Sequence, residues 1–163
     1  MSNLSKNLID IFKVVGNDKE LLRLLYYTSD PLNPTKPEVI DLEDFQEIRR
    51  ERIVRAPKTN DIQDDSTIEI CRICMYFGNR SNTGSATKFA YQDVVFDIYV
   101  HIDAFEVNDA RSLRITDRLN KILHNQSITG FSSIKSDRMF IIGNSPSGYI
   151  GYKYIYEFIS ENY

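Results

Sequence analysis

Between Phe89 and Asp103 apolar and polar side chains alternate, and that run constrains the chain more than any other feature. Val94, Phe96, Ile98, Val100 and Ile102 occupy every second position, so in an extended backbone they share one face. The other face carries Asp93, Val95, Asp97, Tyr99, His101 and Asp103. A strand with one greasy and one acidic face belongs in a sheet whose first face meets a core. The acids argue against a helix covering the second.

The neighbouring segments fit that frame. Thr67 to Phe77 is rich in Ile, Cys, Tyr and Phe and reads as a strand, followed by a polar loop over 78–88. A helix capped by Asn108 or Asp109 is predicted to run to about Asn125, with Ile115, Leu119, Ile122 and Leu123 on its buried stripe. Asp137 to Ile142 is a third strand. The turn 143–148 leads into a fourth, Tyr149 to Ile159, whose tyrosines at 152, 154 and 156 share one face. Upstream, Leu4, Leu8, Ile11, Phe12 and Val15 follow helical spacing up to Gly16-Asn17. Asp18 can cap a second helix, DKELLRLLYY.

Pro31, Pro34 and Pro37 favour an exposed extended arm over residues 28–40. A short helix spans Asp41 to Arg52, residues 53–56 form a brief strand, and 57–66 are polar loop. The expected fold is α+β: an antiparallel or mixed sheet of about four main strands, helices packed on one face, in the order α-α-arm-β-β-α-β-β. One domain covers 1–163. It consists of N-terminal helices (1–27), a connector or arm (28–66) and an α+β core (67–159).

The 163 residues carry 20 basic and 23 acidic side chains, net −3, so nonspecific attraction to nucleic acid or an anionic membrane is not the default. No run approaches the ~20 apolar residues of a membrane span. Lys6, Asn7 and Asp10 interrupt the N-terminal apolar positions, so no signal peptide is expected and the chain should stay in the cytosol where it is made.

Cys71 and Cys74 form a C-x-x-C that could belong to zinc or redox chemistry. In a strand, however, positions three apart point to opposite faces, which favours two packed, reduced thiols. Asp93, Asp97 and Asp103 invite a lumen or interface role as an acidic face. With His101 they also invite a metal-dependent reading, although Asp97 lies ~13 Å along the strand from Asp93 and from His101. Arg111, Arg114, Arg118 and Lys121 form a cationic helix stripe. Such a stripe could meet another subunit, contact phosphates, or be a solvated face. Arg49, Arg50, Arg52 and Arg55 form a second basic cluster, diluted by Glu47 and Glu51. No nucleophile elbow, Walker loop, H-E-x-x-H or dinucleotide fingerprint is present. No enzyme activity and no cofactor are expected.

The run YQDVVFDIYVHIDAFEVNDARSLRITDRLNKILHN, followed by a glycine and a closing hairpin, resembles the tail terminator and tail-completion proteins of long-tailed bacteriophages. The family's R-x-x-x-I-x-x-x-L rhythm falls on Arg111, Ile115 and Leu119. The resemblance spans roughly residues 67–159. It implies a structural virion protein: a hexameric ring that ends the tail tube, joins the head-completion or connector protein, and lets genomic DNA through without sequence-specific binding. Neither membrane nor catalytic residues are implied. A nucleic-acid-binding accessory domain, or another neck connector, is the alternative.

Overall fold

A computed structural model describes residues 3–63, 68–84 and 86–162. Thr67, the expected start of the first long strand, lies outside them, as do 64–66 of the polar loop and Ser85 of the expected hairpin loop. The fold is α+β, with a five-stranded mixed sheet and helices on one side. The strands are β1 (Ile53–Val54), β2 (Cys71–Thr83), β3 (Ala86–His101), β4 (Lys135–Ile141) and β5 (Tyr149–Glu161), in spatial order β1-β2-β3-β5-β4. All neighbours are antiparallel except β1, which runs parallel to β2.

The helices start where local chemistry favours it. The Asn3 side chain accepts the Lys6 N–H at 2.6 Å to cap α1 (Leu4–Gly16). Asp18 accepts that of Leu21 at 2.8 Å to cap α2 (Lys19–Tyr26). Helix α3 (Phe45–Arg52) begins later than the expected Asp41, because Val39–Asp41 forms its own 3-10 turn. The three-residue α4 (Val107–Asp109) precedes α5 (Arg111–Leu123). One apolar core joins Ile11, Val15 and the α2 leucines to Val94, Phe96, Ile98 and Val100 of β3 and to Ile115, Leu119 and Leu123 of α5.

Four expectations are corrected. Residues 78–88 are not an open loop. β2 continues to Thr83 and β3 begins at Ala86, with Gly84 turning the chain at φ +55°. Ladder pairing needs only backbone groups, and Arg80 ties this polar stretch to Ser160 Oγ, the Glu161 carbonyl and Asn162 Oδ1 at 2.7–2.9 Å. Residues 28–40 are no free arm either. The buried Arg23 guanidinium donates to the carbonyls of Pro31, Lys36 and Pro37 at 2.8, 3.0 and 3.2 Å, and to that of Asn33. Three prolines remove backbone donors from this segment, and one cation gathers four of its carbonyls.

The strand ends at His101, before Ile102 and Asp103. Residues Ile102–Glu106 coil into a π-turn that buries Phe105 and leaves Ile102 and Asp103 exposed. Finally, α5 is not capped by Asn108 or Asp109. Glu106 reaches forward instead, accepting from the Ser112 N–H and hydroxyl at 2.7 Å each. Ala110 turns the chain in the left-handed region at φ +50°. Among the described residues no α-helix packs on the second sheet face, as expected, but at one end Ile62, from the 3-10 turn Asn60–Ile62, and Ile70 close over Cys74, Tyr99 and Tyr149.

Candidate functional site

The expected cationic stripe on α5 is dismantled by intramolecular contacts. Arg111 is fully buried, so it cannot belong to a surface. Its guanidinium donates to the carbonyls of Leu24, Tyr27 and Thr28 at 2.8, 2.6 and 3.1 Å and pairs with Asp109 at 3.0 Å. Arg114 pairs with the same carboxylate at 2.5 Å. Arg118 is held by Asp18 at 2.7 Å and Glu20 at 3.1 Å, and hydrogen bonding to Asp18 raises its pKa further. Lys121 is the exposed member. These arginines pin α5 to α2 and to the segment after it.

The acidic face also divides. Asp97 is buried within a triad. Tyr76 OH donates to it at 2.6 Å, and Lys153 Nζ donates both to Asp97 and to Tyr76 OH at 2.7 Å. Burial opposes the Lys153 charge, yet these two bonds outweigh it and raise its pKa. Burial, with the nearby Asp97, pushes the Tyr99 phenol up to about 12. His101 accepts the Ala104 N–H through Nδ1 at 3.2 Å, capping the π-turn, while Asp103 stands exposed on that turn. Asp97, His101 and Asp103 therefore do not converge.

Asp93 has different company. Glu157 faces it across the β3–β5 ladder. The register slips between Ser136 and Arg138 of β4, so Asp137 is an extra residue in that strand. Burial raises the Asp93 pKa, Asp137 adds to this, and Arg138 opposes it. Burial also raises that of Glu157, with Asp93 and Asp137 contributing. Lys135 pairs with Glu157 in register, but its ammonium binds Asn125 Oδ1. Asp93 and Glu157 thus face each other with Asp137 on the neighbouring strand, and Arg138 pairs with Asp137 at 3.6 Å, one cation among three acids.

A second unbalanced patch lies among α1, α3 and β1. Phe12, Gln46, Arg49, Arg50 and Arg55 help enclose an open concavity of about 460 Å³ whose lining holds no acid. Arg55 lies over the Phe12 ring at 4.7 Å. Arg49 lies over Phe45 at 5.1 Å and donates to Gln46 Oε1 at 2.7 Å. Glu47 and Glu51, expected to dilute this cluster, line the adjoining depression with Lys58, Asp61 and Arg72, and Arg50 borders both hollows. There Arg72 pairs with Asp61 at 2.6 Å, a hydrogen bond that lowers the Asp61 pKa. Helical spacing carried the signal: Glu47 and Glu51 share a face, and Arg49 sits ~200° round the axis from Glu47.

Cys71 and Cys74 are free, fully buried and on opposite sheet faces, as the spacing predicted. Burial pushes the Cys71 thiol well up, and Cys74 to about 11. Among the described residues no group of three His, Cys, Asp or Glu is arranged to hold a metal, and no helix is long and apolar enough to cross a membrane.

Residues 18–158 match the YomW protein family. The chain is also similar to the SPbeta prophage-derived uncharacterized protein YomW of Bacillus subtilis (strain 168). The two are 37% identical over 167 aligned positions, covering 97% of this chain and 98% of the relative. This chain belongs to the YomW family. That membership gives it a bacteriophage origin. The matched YomW region includes α2, α3, β1 to β4, α5 and β5 as far as Phe158, so it contains both the acidic cluster and the arginine-lined concavity except for Phe12.

Proposed function

We propose that this protein is a structural component of the virion. It assembles into a ring at the head–tail junction of a tailed phage, ends the tail tube and joins it to the head connector. The observation that carries this reading is the phage-derived YomW family joined to the β-β-α-β-β plan, with a helix-free second sheet face. The two charge patches add support. Each is unbalanced within one chain, as expected of surfaces completed by neighbours. Six copies in a ring, a tail-tube protein below and a connector above are the partners of this reading, with DNA passing through. The assembled form belongs to the particle, and the free form to the cytoplasm of the infected cell.

The nucleic-acid reading of α5 loses support, because Arg111, Arg114 and Arg118 are engaged by carboxylates of the same chain. Incubating the purified protein with isolated tail tubes tests the proposal. Negative-stain images should show density capping one tube end, and native mass spectrometry should find a closed oligomer alone or on tubes. Bare tube ends at saturating protein would refute it.

A further inference from the structure

The two patches differ in sign and lie at separate places on the fold. The arginine-lined concavity abuts β1, the first strand in spatial order. The carboxylates run from the central strand β3 across β5 to the other edge strand, β4. Two strand spacings separate β1 from β3 and three separate it from β5, ~10 and ~14 Å at ~4.8 Å each. Among the described residues no ion pair joins the two patches. Two-sided complementarity of this kind fits a heterologous contact, in which one patch meets a different patch on the next copy, and such contacts build closed rings when the rotation closes.

Arg50 and Arg55 have no carboxylate within 4 Å among the described residues, and both are exposed. Most other arginines of the described residues do have one. Arg49 and Arg80 hydrogen-bond only neutral groups, and Arg52 is turned inward, donating to the Leu25 carbonyl. The groove's own chemistry is that of a carboxylate receptor. Guanidinium groups present planar forks that match carboxylates. The Phe12 ring supports Arg55, and the Gln46 amide oxygen holds Arg49.

We propose that the concavity formed by Arg49, Arg50 and Arg55 receives the Asp93, Asp137 and Glu157 cluster of a second copy of this chain, in a head-to-tail contact. This rests on the ring reading and names the surface that closes the ring. The contact removes two like-charge concentrations at once, and its strength falls with ionic strength, because both patches are partly exposed.

The test uses the full chain and two charge-reversed variants, one carrying Arg50→Glu and Arg55→Glu, the other Asp93→Lys and Glu157→Lys. Sedimentation velocity and native mass spectrometry read the oligomer, and circular dichroism checks the fold. Milder variants, Arg50→Gln with Arg55→Gln and Asp93→Asn with Glu157→Gln, serve if a reversal fails to fold. Wild-type protein should associate, with a dissociation constant that rises as salt is increased. Each reversed variant should associate at least about tenfold more weakly alone. An equimolar mixture of the two should recover association, because each groove then finds an opposite cluster. An oligomer indifferent to both variants overturns this contact and leaves the ring reading standing. Wild-type protein that stays monomeric both free and with tail tubes overturns both. Loss of duplex DNA binding in the arginine variant, with self-association unchanged, assigns the groove to phosphate and overturns the proposal.

Discussion

Replacing Arg111 by alanine removes the cation that holds three parts of the structure together. The side chain is fully buried and donates to three carbonyls at the end of α2 and just beyond it. It also pairs with Asp109 and lies 5.3 Å from the Phe105 ring centre. Hydrogen bonds from a charged donor contribute ~1.5–3 kcal/mol each, so three at the lower bound give ~4.5 kcal/mol. Breaking a buried pair from one side costs ~3–5 kcal/mol by an independent route. Asp109 keeps 22% of its side-chain surface in water, which returns part of the loss. The expected destabilisation is therefore about 4 kcal/mol, a large share of the ~5–15 kcal/mol of an ordinary domain. Urea unfolding followed by circular dichroism should show a lower midpoint with an unchanged slope. The melting temperature should fall by ~10 °C, at ~2–4 °C per kcal/mol for this chain length. Arg111→Lys should lie between, since an ammonium keeps the charge but loses the fork. An alanine variant within about 1 kcal/mol of the parent would refute the reasoning, because Lys121→Ala, exposed on the same helix, is expected to do no more than ~0.5 kcal/mol.

Three further outcomes follow from the same geometry. The native protein should resist an aromatic disulfide reagent at pH 8, with two thiols reacting only on unfolding, because burial raises both cysteine pKa values; fast labelling of one native thiol would contradict the packing. The raised pKa values of Asp93 and Glu157 mean that the fold holds their protons more tightly than the unfolded chain does, so their contribution to stability falls as pH rises from the unfolded carboxyl value through the folded one. Asp93→Asn should therefore raise the urea midpoint of the monomer at pH 7, with the gain vanishing near pH 3, and an unchanged midpoint at pH 7 would count against the acidic cluster. Gly151→Val should destabilise by ~1–3 kcal/mol in urea melts, since a Cβ there collides with Ser145 Oγ and stands 3.1 Å from the Tyr99 ring; a neutral result would show that the turn over β5 yields easily.

The sheet was readable from sequence wherever one face is buried. Alternation placed Val94, Phe96, Ile98 and Val100 on the core side because a strand's side-chain period of two leaves no other register for them. The same rule failed at Ile102, where the chain coils after His101 and the next apolar anchor is Phe105. Polar stretches misled for a related reason. Residues 80–83 pair through their backbone, and the Pro-rich segment is gathered by Arg23, whose carbonyl partners lie further along the chain. Arg111 misled most. Its spacing matches a solvated stripe, and its burial depends on carbonyls from a distant helix end that helical periodicity does not reveal. The acidic cluster was half legible. Asp93 stood out along its strand, but Glu157 and Asp137 join it only through ladder register and a bulge in β4.

A bacteriophage protein of this fold, with patches of opposite charge at separate places on its sheet and helices, is suited to working by contact with its neighbours. The most direct test is electron microscopy of particles from an induced lysogen in which the gene for this protein has been deleted. The account predicts separate filled heads and tails, with tail tubes of irregular length, and joined particles once the gene is supplied in trans. Intact, infectious particles with tails of normal length would contradict it.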